Sequence, residues 1–143
     1  MKKYTIEVTK EQLEGIAEAC WVYDRLILGQ LSMPLTDVCL DAWYKRYAGS
    51  HPSWMRKNVR ETSNIIDKHI QELQELCWGL KKGEYNGVGY DKYADMLFDI
   101  QKVINHSLWS EKPDDKKNYS TNDAFPPKQF GKEPLITIKS KEV

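Results

Sequence analysis

Ile16 to Leu31 reads IAEACWVYDRLILGQL, and the fold turns on whether this stretch is a helix. At 3.6 residues per turn Leu13, Ile16, Ala17, Cys20, Ile27 and Leu31 fall on one stripe, so a helix here would turn an apolar face to a core. Arg25 lies off that stripe, beside Trp21, Leu28 and Gly29. A guanidinium spaced one turn from an indole can stack on a flat base or fork onto a phosphate. It can equally lie along the helix surface with its stem over Trp21. Gly29 suits the left-handed position that ends such a helix, and Pro34 follows closely enough to prevent its continuation.

Working outward, Lys3 to Thr9 alternates in YTIEV with β-branched residues and predicts a short strand with Ile6 and Val8 on one side. Thr9 with Gln12 has the spacing of a capping box, which places the first helix from there to about Leu28. Leu35 to Tyr47 is a weaker helical pattern with Thr36 as its cap, interrupted by AGSHPS at Ala48 to Ser53. Ser53 can cap a long helix from Trp54 to Leu80, with Val59, Ile66, Ile70, Leu73, Cys77 and Leu80 as its apolar stripe and a mixed, solvated charged face opposite. After the glycine-rich KKGEYNGVGY (Lys81 to Tyr90), Asp91 caps a last helix over Lys92 to Trp109, with Tyr93, Met96, Leu97, Ile100, Ile104 and Leu108 facing inward. Residues 111–134 are polar and irregular, either extended and pinned by Phe125 and Phe130 or disordered. LITIK, Leu135 to Lys139, alternates again and is the natural partner for the N-terminal strand. The expected fold is therefore a single α+β domain, mostly helical, with three to four helices and a small antiparallel sheet joining the two terminal strands.

Composition narrows the function. Basic and acidic residues both number 21 in 143, so the broad positive surface of a nonspecific DNA binder is missing. An anionic ligand would have to be met by a local set of donors. Three cysteines, Cys20, Cys39 and Cys77, sit in apolar helical contexts and read as buried thiols in a reducing compartment. No apolar run reaches the length of a membrane span and the N-terminus lacks a signal-peptide centre, so the chain is expected to be soluble and intracellular.

Catalytic chemistry finds little support. His51, His69 and His106 stand on separate elements with no metal-ligand spacing, no GxSxG is present, and the acids are spread over helix faces. No catalytic residue, metal or cofactor is expected. The loop Lys81 to Tyr90 lacks the terminal lysine and hydroxyl of a P-loop, though its glycines can turn amides inward. Eight tyrosines, five tryptophans and an arginine beside an indole make a vocabulary for planar ligands. The same residues also fill cores and interfaces, and by themselves indicate a helical binding or oligomer-forming domain.

Several segments together resemble a family of small phage proteins: TKEQLEGIAEAC (Thr9 to Cys20), YDRLILGQL (Tyr23 to Leu31), NGVGY (Asn86 to Tyr90), DMLFDIQKVINHSLW (Asp95 to Trp109) and GKEPLITI (Gly131 to Ile138). They are similar to the phage anti-defence proteins that bind and sequester the cyclic ADP-ribose signal of bacterial Thoeris systems. Some members also trap cyclic oligonucleotides of CBASS. The resemblance implies a nonenzymatic α+β protomer that forms a homodimer or higher homo-oligomer in the cytoplasm of an infected bacterium. It implies one ligand site at Arg25, Gly29 and Gln30, and another at Asn86, Gly89, Asn105 and His106. Similar proteins carry an arginine where this chain has Asn105, which removes a charge from the second site. The rival expectations are a helical prophage interaction or oligomerisation protein with no small ligand, and an enzyme that degrades such signals.

Overall fold

A computed structural model describes residues 4–118 and 123–139. Four α-helices follow one another: α1 (Lys10–Ile27), α2 (Ser32–Arg46), α3 (Pro52–Trp78) and α4 (Lys92–Ser110), with a 3-10 turn at Asp114–Lys116. The start of α1 is the capping box read from the sequence. Thr9 N donates to Gln12 Oε1 at 2.8 Å while Gln12 N donates to Thr9 Oγ1 at 3.2 Å. Asp91 opens α4, its carboxylate accepting from the amides of Tyr93 and Ala94.

Two helix starts differ from expectation. α2 starts at Ser32 and not at Leu35, with Pro34 in its first turn, where the missing N–H has no helical partner to lose. Its ring is fully buried. Thr36 is no cap either, since its hydroxyl donates to Asp67 on α3 at 2.9 Å. For α3 the cap is His51, whose ring nitrogen accepts from Ser53 N, with Pro52 at the first position and Gly79 in the left-handed conformation at the far end.

The described chain divides into two compact units, residues 25–87 and residues 1–24 with 88–143. In the first, α2 and α3 pack against each other as an antiparallel pair. Trp43 and Trp54 stack at 5.9 Å between centroids near their junction, with Tyr47 against Trp54 at 5.4 Å. Leu28, Leu31, Pro34 and Ile70 form its buried apolar centre. The stripe of α3 turns from the expected one: Leu73 and Cys77 are exposed, whereas Gln74 is buried and Trp78 half-buried. Both inward side chains carry polar atoms that find carbonyl partners, Gln74 Nε2 on Glu84 O at 2.8 Å and Trp78 Nε1 on Ile27 O at 3.1 Å.

In the other unit Ala17, Cys20, Ala94 and Ile104 are buried together with the carboxylates of Asp24 and Asp99. Burial, reinforced by the Asp24 carboxylate, pushes the Cys20 thiol up from its ordinary range. Of the three thiols expected to be buried it alone is, since Cys39 and Cys77 are exposed on the outer faces of their helices.

The expected α+β fold is not what forms: among the described residues the chain is helical and contains no strand. Lys3 lies outside those residues, but Tyr4 to Thr9 and Leu135 to Lys139 adopt no regular structure. Alternation makes a segment fit for a sheet, and only pairing makes it a strand. Here the chain that leads into the C-terminal segment is held on a helix. Phe130 and Gly131 donate their amides to Asp99 on α4, and Phe130 meets Phe98 edge-on at 5.6 Å. Ile6, meanwhile, stays 73 % exposed.

Candidate ligand-binding site

Arg25 occupies the last turn of α1, and the way that helix ends decides what the guanidinium touches. Gly29 takes φ +73°, Gly29 N bonds to Leu26 O at 3.2 Å and Gln30 N to Arg25 O at 2.8 Å, the paired bonds of a Schellman motif. That reversal brings the Gln30 side chain back onto Arg25, whose Nη1 donates to Gln30 Oε1 at 2.5 Å. Gln30 Nε2 in turn donates to Asn86 O at 3.2 Å, while Asn86 N donates to Leu28 O at 3.2 Å. The carbonyls of Arg25, Leu26, Ile27 and Leu28, which a helix end leaves without partners, are thus each satisfied: two by the turn itself, one by the Trp78 indole and one by the Asn86 amide.

Gly29 is fixed by space as well as by backbone angle. A Cβ there would stand 2.9 Å from Leu80 Cδ1 and 3.0 Å from Trp78 Cγ. Arg25, Gly29, Gln30 and Asn86 therefore form one connected set, half-buried apart from the buried Gly29. Asn86, which the resemblance assigned to the second site, is tied here to the residues of the first. Tyr85, next to Asn86 in the chain, is 67 % exposed and offers a ring for stacking.

Gly89, Asn105 and His106 belong to the other unit. Gly89 has φ +89° and donates its amide to Asp95 Oδ1 at 2.9 Å, so it closes the entry to α4. Near the end of that helix the His106 Nδ1 lies 2.7 Å from the Asp123 carbonyl, and its ring stacks on Trp109 at 5.9 Å and 15°. Lys117 stands over the Trp109 ring at 5.2 Å and pairs with Asp114 at 2.8 Å. Asn105 is half-buried on the same helix and adds no charge. A histidine, an indole and a lysine at one helix end are groups that could meet an anionic planar molecule.

Gln74, Trp78 and Asp99 are inward-facing polar residues that the sequence pattern does not single out. Gln74 and Trp78 continue the fourfold spacing from Ile66 and Ile70, which is the signal that could have found them. Asp99 stands between Phe98 and Ile100, an acid inside an apolar run.

A cleft of about 340 Å³ lies elsewhere in the second unit, lined by Met96, Asp99, Ile100, Glu133, Pro134, Leu135 and Ile136. None of the expected ligand residues lines it. Among the described residues no group of three or more His, Cys, Asp or Glu side chains is placed to hold a metal ion, and no helix is long and apolar enough to cross a membrane. No protein-family model, curated protein or solved structure matches the chain.

Proposed function

We propose that this chain is a nonenzymatic phage anti-defence protein that binds cyclic ADP-ribose-type immune signals, and cyclic oligonucleotides of similar chemistry, and holds them unaltered. The reading starts from the resemblance of its segments to the signal-sequestering family. The observation that carries it furthest is the Arg25–Gln30–Asn86 set, in which a guanidinium is held in place before any ligand arrives. Ordering a long cationic side chain in advance removes part of the entropy cost of binding a phosphate. With a Kd near the nanomolar range, about 12 kcal/mol, such a protein would keep a low-micromolar signal below its receptor's threshold inside the infected cell.

The test is to incubate the purified protein with cyclic ADP-ribose isomers and cyclic trinucleotides, remove unbound material, heat the complex and chromatograph what is released. Intact nucleotide is the expected product. Linearised product would make the protein an enzyme and end this reading.

A second reading, a helical interaction protein with no small ligand, draws on the exposed apolar side chains of α3. Leu76 is 81 %, Ile65 58 % and Leu73 48 % exposed, more apolar surface on one helix than an isolated protomer needs. Recovery of no nucleotide under any condition, with a homodimer or larger species by light scattering, would favour it.

A further inference from the structure

The cleft along α4 carries a chemistry different from that of the arginine site. Its walls are apolar, Met96 and Ile100 on the helix and Pro134, Leu135 and Ile136 on the chain that crosses it. Its charged groups are two carboxylates, Asp99 at 4 % exposure and Glu133 in the open. No lysine, arginine or histidine lines the cleft, and no ion pair among the described residues involves either acid. Asp99 is instead held by backbone: Phe130 N at 3.0 Å from Oδ1, and Gly131 N at 2.7 Å from Oδ2. The chain lies close here, since a Cβ on Gly131 would stand 3.1 Å from Asp99 Oδ2 and 3.3 Å from Met96 N.

Amide dipoles stabilise the carboxylate without cancelling its charge. A buried acid solvated only in this way keeps a negative potential in the space it borders, and the low-dielectric walls strengthen that potential. We propose that the cleft binds a small aliphatic diamine or polyamine, its methylene chain along Met96, Ile100 and Leu135 and its ammonium groups toward Asp99 and Glu133. The volume is that of a small-ligand site. A nucleotide or a carboxylic acid would bring its own negative charge against the two acids, and a neutral hydrocarbon would leave both without a counter-charge. A dication with one charge inside and one at the rim answers both. This assignment stands apart from the arginine site and from any nucleotide bound there.

Titration calorimetry at low ionic strength with 1,5-diaminopentane, pentylamine and 1,5-pentanediol tests it on the full chain. The diamine is expected to saturate and to bind about tenfold more tightly than the monoamine, the diol is expected not to bind, and added salt is expected to weaken the diamine. Glu133→Gln, at an exposed position, is expected to leave the melting temperature unchanged and to bring the diamine down to the affinity of the monoamine. Equal binding of diol and diamine, an affinity ratio untouched by Glu133→Gln, or no saturable binding at millimolar diamine would each overturn the proposal. So would capture of a lysine-bearing peptide by a protein that ignores free diamine.

Discussion

At the end of α1 a positive charge is held by neutral groups at half exposure, Arg25 against the Gln30 amide, which is anchored on the Asn86 carbonyl. In the middle of α4 a negative charge is held by neutral groups almost out of water, Asp99 against the amides of Phe130 and Gly131. Both settings use amides, and both depend on a glycine at a close approach. The difference is depth. A half-exposed guanidinium stays in reach of solvent and gives the fold little, whereas a buried carboxylate gives up its solvation and becomes the anchor of the segment that supplied its donors.

The sharpest way to break this comparison is at the glycine of the first setting. Gly29→Ala forces a side chain into φ +73° and against Trp78 and Leu80, and is expected to cost about 3 kcal/mol in urea unfolding. Gly49→Ala, where a Cβ meets nothing within 4 Å, is the control and should change stability by less than about 0.5 kcal/mol. Matching losses would mean that the end of α1 is not fixed as described.

Asp99→Ala leaves two amides without their acceptor and is expected to cost about 2 kcal/mol. Limited trypsinolysis should then cut faster at Lys128 and Lys132, which flank the released contact. Unchanged cleavage would show that the segment is held by other means. Arg25→Ala tests the opposite expectation: a fold that melts as before, with retention of cyclic ADP-ribose isomers weakened by about 1.5 kcal/mol or more in calorimetry. A variant that binds as well as the parent would remove Arg25 from the site.

The smallest effect separates amide anchoring from a surface ion pair. A hydrogen bond from Lys117, followed by its charge, holds the exposed Asp114 carboxyl below its ordinary range. A lowered acid pKa stabilises the fold above the ordinary value, and the contribution is lost as pH falls through the lowered one. Lys117→Met should return the NMR titration midpoint of Asp114 upward, with little change in stability because the carboxylate is solvated.

The helices were legible because their signals are local. Thr9 with Gln12 and Asp91 with the turn after it satisfy their own helix starts, and Gly29 terminates α1 by a backbone angle that few other residues adopt readily. The sheet does not form because YTIEV and LITIK carry a periodicity that requires a partner, and the chain that leads into the second segment is held on α4 by Asp99. The arginine set was half legible: Arg25, Gly29 and Gln30 share one turn, but that Asn86 joins them depends on a bond to Leu28 across dozens of residues. Gln74 and Trp78 escaped for the same reason, since a polar atom facing inward reveals its purpose only when the distant carbonyl is in view.

The Asn86 amide belongs to a glycine-rich loop, yet its hydrogen points at the Leu28 carbonyl just past the end of α1. Deuterium should therefore replace that hydrogen on the schedule of the surrounding helices, long after the amides of Gly83 and Tyr85 have exchanged, making one loop position a clock for the opening of its whole unit.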